Sequence, residues 1–309
     1  KILFLFLFLF SLFPLQGSEI LRVASFNLRN YLSCDRMVEG KWRPDYPKPE
    51  IEKKAARLMI RSVNPDILVL QEMGDYRYLV ELWADLNVTG GPYYPYAVWK
   101  PNREEKEVRH LALFSKYPPV STSNHLDLTF PYFEGSANSG RGLLEVNFRQ
   151  SGVAFSLFNL HLKSMWTERK DDPQARIRRE KEARTMRNFI RKKYPPESKP
   201  NYLIVGDFND HKDSAALRRF TTVNDTILSN AISCADSRGH LWTHYFKKQD
   251  SYSRIDYILA SPSLMNYHLP ESGRIMDFNE WNCIRSSPNL CGFPILGITL
   301  CTILPKVFL

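Results

Sequence analysis

From Leu21 onward the chain alternates short, nearly unbroken apolar runs with polar segments of helical spacing. "LRVASFNLRNY" (21–31) reads as a buried strand that ends in a polar loop. "PEIEKKAARLMIRSVNPD" (49–66) has helical spacing, with Ile51, Ala55, Leu58 and Met59 on one face, and Asn64-Pro65-Asp66 stops it. "DILVLQE" (66–72) follows at once as a second buried strand. Further strand-like runs are "HLALFSKYP", "GLLEVNF", "VAFSLFNLHLKS", "NYLIVGDFND" and "SYSRIDYILA". Between them, "DDPQARIRREKEARTMRNFIRKKYPP" predicts a long basic helix with Asp172 as N-cap, Pro173 at the first helical position and a Pro-Pro stop. Its cations read as a solvated face. Strand, helix and strand in this order predict a layered α/β fold, and no repeat or low-complexity linker divides it.

Composition adds less. The 309 residues are 43 % hydrophobic, enough to bury a substantial core and to exclude a disordered chain. A formal charge of +9 suits an anionic partner such as nucleic acid, and equally suits solubility alone. The opening "KILFLFLFLFSLFPLQGSEI" pairs a cation with a short Leu/Phe run and then small or polar residues, the pattern of a secretory signal. The run is too short for a comfortable bilayer span, so no transmembrane segment is expected and the protein is expected to be secreted or periplasmic. The domain division that follows is a signal peptide at 1–18, one catalytic domain at 19–282 and an aberrant tail at 283–309. An oxidising compartment would permit a Cys34–Cys234 disulfide.

Several strand-like runs end in groups able to hold a metal or a phosphate. Asn27 closes "VASFN", Glu72 closes "LVLQE", and Asp207 with Asn209 closes "LIVGDFN". Carboxylate and amide oxygens suit a hard cation such as Mg²⁺ or Mn²⁺ that keeps several waters. His161, within "FNLHLKS" after a buried strand, becomes a donor to a phosphoryl oxygen when set beside such carboxylates. Asp256 lies inside an apolar strand, where a lone carboxylate is costly, so a partner is expected and an imidazole fits.

"SFN", "LVLQE", "FNLHLKS", "IVGDFND" and "SRIDYIL" stand in the order and approximate spacing of the endonuclease/exonuclease/phosphatase superfamily, the group of DNase I and the apurinic endonucleases. The chain resembles that superfamily from about Val23 to Ser261. The resemblance implies a four-layered DNase I-like α/β sandwich, two mixed sheets packed face to face with helices outside, and metal-dependent hydrolysis of phosphoesters. It implies that Glu72 holds the cation with help from Asn27, and that Asp207 positions or deprotonates the attacking water. It further implies that Asn209 orients water or phosphate, that His161 stabilises the transition state, and that Asp256 pairs with a second histidine. Arg141, in "GRGLLEV", is a candidate phosphate contact or a structural residue at a strand entrance. A monomeric secreted nuclease is the leading expectation. A phosphatase of lipid headgroups or sugar phosphates and a catalytically impaired binding relative are the alternatives.

The pattern fails at the end of the chain. The family's Ser-Asp-His motif is missing after Asp256, and His268 in "MNYHLP" lacks the preceding Asp. Cys283 to Pro288 can be encoded TGC ATC CGA TCA TCG CCC, and loss of one base gives Ala-Ser-Asp-His-Arg at that place. The expectation is out-of-frame translation beyond about Asn282, with a divergent tail as the alternative. On either reading the chain as written would lack the partner of Asp256 and the last sheet strand.

Overall fold

A computed structural model describes residues 20–88, 91–102, 107–276 and 298–303. Twelve strands form its two large sheets: β1 Leu21–Tyr31, β2 Ile67–Met73, β3 Tyr96–Trp99, β4 His110–Ser115, β5 Ser121–His125, β6 Leu143–Gln150, β7 Val153–His161, β8 Tyr202–Asp207, β9 Asn230–Ala231, β10 Asp256–Ala260, β11 Arg274–Met276 and β12 Ile298–Ile303. The first sheet has the order β11-β12-β1-β2-β4-β3, and the second β9-β10-β8-β7-β6-β5. Only β1–β2 and β7–β8 are parallel pairs. The principal helices are α1 Glu50–Val63, α2 Tyr76–Asn87, α3 Arg176–Lys193 and α4 Ala215–Thr221.

The apolar runs lack strict alternation because both faces of each sheet are covered. Val23, Val69 and Leu113 of the first sheet share one core with Val146, Leu157, Val205 and Ile258 of the second. The opposite face of the first sheet, with Ala24, Leu68 and Leu70, packs on Met59 and Ile60 of α1 and Leu79 and Leu82 of α2. The outer face of the second, with Phe158, Leu160 and Ile204, packs on Met186 of α3 and Phe220 of α4. Three cores between four layers make the expected sandwich.

The polar exception in the central layer fixes how the sheets meet. Gln71 Nε2 donates to Asn159 Oδ1 at 2.9 Å, and Asn159 Nδ2 donates to the carbonyls of Leu70 and Ala112 at 3.0 and 3.1 Å. Both side chains are fully buried. A buried amide pair tolerates only the alignment that satisfies it. Gln71 is the neighbour of Glu72, and Asn159 lies two residues before His161 on the same strand.

Several local expectations change. In α1 the buried face is Ala55, Ala56, Met59, Ile60 and Val63, while Ile51 is exposed and Leu58 half-buried, because the helix rests on the sheet one position round from the apolar stripe first counted. Asn64 ends it in a left-handed conformation, φ 44°. Asp172 does cap the basic helix, accepting from the Ile177 and Arg178 amides, but across a 3₁₀ turn at Pro173–Ala175. The solvated-face reading of that helix holds for Arg176, Arg184, Arg191, Lys192 and Lys193, which are exposed, and is corrected at Arg179 and Glu182, which are buried against the loop after β7. Cys34 and Cys234 lie in different cores, so the permitted disulfide between them is not formed.

The sheet is not short of a strand either. Residues 298–303 form β12, antiparallel to β1 with Leu21 opposite Ile303 and Ser25 opposite Thr299. The β-rich sequence "ITLCTI" meets the edge of β1 whatever frame encoded it. The signal-like opening and residues 277–297, where the shifted Ser-Asp-His would fall, lie outside the described residues.

Candidate active site

The expected side chains meet where β1, β2, β7, β8 and β10 end together. Pairing places His161 opposite Asp207 and Asp207 opposite Asp256, so three chemistry-bearing residues stand side by side across β7, β8 and β10. Gly206 makes the approach possible. Its φ is +143°, and a Cβ there would lie 2.0 Å from the Leu160 carbonyl oxygen.

The first sheet reaches across through two irregularities. Pairing of β1 with β2 and of β2 with β4 shifts at the ends of these strands, and Arg29, Asn30 and Glu72 take positive φ of 49°, 57° and 57°. Such bulges re-aim a side chain at the cost of backbone strain. Here Glu72 is held by two contacts: its Oε2 accepts from the Asn30 amide at 2.7 Å, and its Oε1 from Asn27 Nδ2 at 3.2 Å. The same Asn27 Nδ2 donates to Asp207 Oδ2 at 2.9 Å, while Asn27 Oδ1 accepts from the Arg29 amide. One amide therefore ties the carboxylates of the two sheets together.

His161 is 3 % exposed, with Nε2 3.6 Å from Asp207 Oδ2 and 3.9 Å from Glu72 Oε1. These distances are too long for hydrogen bonds. Burial holds the imidazole well below its ordinary range, and Arg141, Arg109 and Lys163 push the same way, so the ring is neutral. Among the described residues its Nδ1 has no partner. Burial raises the Asp207 carboxyl and Glu72 adds to it, against hydrogen bonds from the Asn209 amide and Asn27. Burial and then Asp207 raise Asp256 well above the usual carboxylate range, against Thr243. A crowded acidic cluster of this kind gains from a cation.

Asn209, at φ 51°, donates its backbone N–H to Asp207 Oδ1 at 2.7 Å and its side-chain N–H to the Leu162 carbonyl at 3.0 Å. Arg141 donates to the carbonyls of His161 and Leu162 at 3.4 and 3.3 Å and pairs with Glu107 at 3.2 Å. Arg141 thus stands beside the site and also holds its backbone. Among the described residues no imidazole bonds Asp256; its neighbour is Thr243, whose hydroxyl accepts from the Ile255 and Asp256 amides.

Sequence reasoning missed Asn30, Arg109 and Thr243. Arg109 Nε donates to Asn30 Oδ1 at 2.7 Å and so braces the residue that holds Glu72. "NLRN" and "WTHY" carried no spacing signal that would have singled them out.

The donor set fits a hard divalent cation. Glu72 and Asp207 offer carboxylate oxygens on one amide, and among the described residues beside them the soft-side donor is a single neutral imidazole. No three His, Cys, Asp or Glu among the described residues are grouped as for an ion held by protein alone. A cation here would keep water or substrate oxygens in its shell.

The family model for the Endonuclease/Exonuclease/phosphatase family matches residues 24–274, and the chain belongs to that family. Solved structures with the same fold include sphingomyelinase C from Streptomyces griseocarneus, 16 % identical, TM-score 0.58, covering 93 % of this chain and 100 % of that one. Truncated TDP2 from Caenorhabditis elegans is 16 % identical at TM-score 0.58, with 93 % and 98 % covered. A beta toxin variant from Staphylococcus aureus with bound magnesium ions is 17 % identical at TM-score 0.59, with 93 % and 100 % covered. No curated protein sequence matches the chain. Among the described residues no helix is long and apolar enough to cross a membrane.

Proposed function

We propose that the protein is a secreted, divalent-metal-dependent phosphodiesterase that hydrolyses nucleic acid. The observation that carries the reading is the joining of Glu72 and Asp207 through Asn27, with a neutral His161 beside them. Membership of a phosphoesterase family supports the reaction class. The charge of +9 and the signal-like first residues support a polyanionic substrate and export.

Glu72 would hold the cation, Mg²⁺ or Mn²⁺, with the oxygens of Asn27 and Asp207 close by. That cation, when bound, supplies Lewis-acid stabilisation of charge on the phosphoryl oxygens. Asp207, its carboxyl raised by burial, accepts a proton from the attacking water, and Asn209 fixes the carboxylate through its backbone N–H. Neutral His161 donates an N–H to the phosphoryl oxygen as charge develops. Asp256, set beside Asp207, keeps the pair short of full ionisation. Arg141 attracts the phosphate and steadies the His161 carbonyl.

A second reading, an impaired phosphate-binding relative, is favoured by one observation: Asp256 has no imidazole partner among the described residues. Incubating the purified protein with single-stranded and duplex DNA, RNA, a lipid phosphodiester and a sugar phosphate, with Mg²⁺ and with chelator, separates the readings. Chelator-sensitive cutting of nucleic acid supports the proposal. Release of inorganic phosphate from intact polymer, or binding with no turnover, sinks it.

A further inference from the structure

Beside the cluster just described, on the α3 side of His161, lies a group of cations of which the proposed chemistry uses Arg141 alone. The turn at 138–142 contributes Ser139 and Arg141, with the Gly142 amide bonded to the Ser139 carbonyl at 2.9 Å. The first turn of α3 contributes Arg178, which reaches the Asn138 carbonyl at 3.5 Å. The loop after β7 contributes Lys163, whose backbone amide donates to Glu182 at 2.8 Å and whose carbonyl accepts from Arg179 at 3.2 Å, while its ammonium donates to Ser164 Oγ at 3.3 Å and to the Trp166 carbonyl. Arg141 bonds the carbonyls of His161 and Leu162 immediately before it. Three polypeptide segments therefore bring Arg141, Lys163 and Arg178 together one residue layer from the catalytic imidazole.

Their charges are poorly balanced. Arg179 is neutralised by Asp210 at 3.0 Å, and one arm of Arg141 by Glu107, but among the described residues the carboxylate shared by the group is Glu182 alone. Glu182 is 3 % exposed, and burial raises its carboxyl, which weakens it as a counter-ion. The Lys163 ammonium is pulled down by burial and by Arg178 and Arg141, a sign of cations crowded without enough anions.

The group also has unused donors. Ser139 is 3 % exposed, and among the described residues its Oγ has no partner and neither Arg141 Nε nor Arg178 Nε has one. Buried donors left unpaired are costly, and their usual explanation is a ligand or water that fills them. Arginine, lysine and hydroxyl donors around one point are the chemistry that recognises phosphate.

We propose that Ser139, Arg141, Lys163 and Arg178 form a second phosphate pocket that takes the phosphate neighbouring the one being hydrolysed. The inference rests on the phosphodiesterase reading and narrows its substrate class: a good substrate carries two phosphates, as a nucleic acid strand does. A choline phosphodiester or a simple sugar phosphate has only one.

The test uses three thymidine dinucleotides with one internal diester each: without a terminal phosphate, with a 5′-phosphate, and with a 3′-phosphate. Hydrolysis of the unphosphorylated dinucleotide with Mg²⁺ reads the phosphodiesterase activity itself. Preference for a phosphorylated form reads the pocket. The expected result is kcat/KM at least about tenfold higher for one phosphorylated form, expressed in KM, with the preference lost in Lys163→Gln and Arg178→Gln. Equal kcat/KM for all three, or a preference that survives both variants, overturns the pocket. If no dinucleotide is cleaved, the phosphodiesterase reading fails, and pyrophosphate in EDTA decides the pocket. Thermal protection by pyrophosphate that both variants lose supports it, and no protection overturns it. Melting of each variant without ligand identifies one that has not folded, and Lys163→Gln, at the half-buried loop, then carries the comparison.

Discussion

Asn27 and Asp207, 180 residues apart, meet at 2.9 Å, and this contact joins the last turns of two different sheets. Because the same amide also reaches Glu72, the geometry of both carboxylates depends on one short side chain. Asn27→Ala should therefore cost activity through metal affinity more than through folding. The expected outcome is a Mg²⁺ requirement shifted upward by roughly 10- to 100-fold, measured as rate against metal concentration, with a melting temperature close to that of the parent. An unchanged metal requirement would show that the bridge is incidental.

His161→Ala removes the neutral N–H donor and puts none in its place. Loss of one preorganised donor typically lowers kcat by about 10²–10³. KM should change little, since the donor acts on charge that develops during reaction. Steady-state kinetics on a chromogenic phosphodiester would read this split, and a change confined to KM would argue for a ground-state binding role.

The amide pair beneath the site can be tested by stability alone. Asn159→Ala strands Gln71 Nε2 and the carbonyls of Leu70 and Ala112 inside an apolar layer. At about 1–3 kcal/mol for each buried group left unpaired, a loss of roughly 3 kcal/mol is expected after partial relaxation. Denaturant unfolding would measure it, and a loss below about 1 kcal/mol would mean that water replaces the amide.

Acid stability depends on Glu145, in β6, whose side chain bonds His125, Lys193 and Tyr194 rather than any residue of the catalytic cluster. Burial alone would raise its carboxyl, but hydrogen bonds from His125, Lys193 and Tyr194 prevail and bring it down to about 2. A carboxylate depressed in the folded state contributes stability above its unfolded pKa of about 4.5, and this is lost as pH falls through about 2. Unfolding free energies measured between pH 5 and pH 2 should fall steeply for the parent. In Glu145→Gln the stability should already be lower at pH 5 and should fall less across the same range.

Much of the fold was legible because the chain repeats one physical device, an apolar strand with its chemistry at its end. The runs ending in Asn27, Glu72, His161 and Asp207 carried both the core and the site. What could not be read was set by tertiary geometry. The one-position rotation of α1 follows from how it rests on Leu68 and Leu70, which its own periodicity does not encode. Arg109 reaches the site only because it precedes β4, the neighbour of β2, and a lone Arg in sequence has no such address. The positive φ at Glu72, on which the aim of its carboxylate depends, belongs to a bulge that "LVLQE" does not announce. The basic helix was legible on one side only: Arg176, Arg184 and Arg191 are exposed as its spacing suggests, while Arg179 and Glu182 turn inward to polar partners after β7 and β8.

The central claim is that the Glu72–Asn27–Asp207 cluster hydrolyses phosphodiesters with a divalent cation. The most direct measurement is turnover of bis(p-nitrophenyl) phosphate and of a labelled oligonucleotide by the parent and by Asp207→Asn, each with Mg²⁺ and with EDTA. Turnover of both substrates by the parent, abolished by chelator, restored by Mg²⁺ and reduced by roughly 10²–10⁴ in Asp207→Asn, is the predicted result. Turnover that is indifferent to EDTA, or equal in Asp207→Asn, would contradict it.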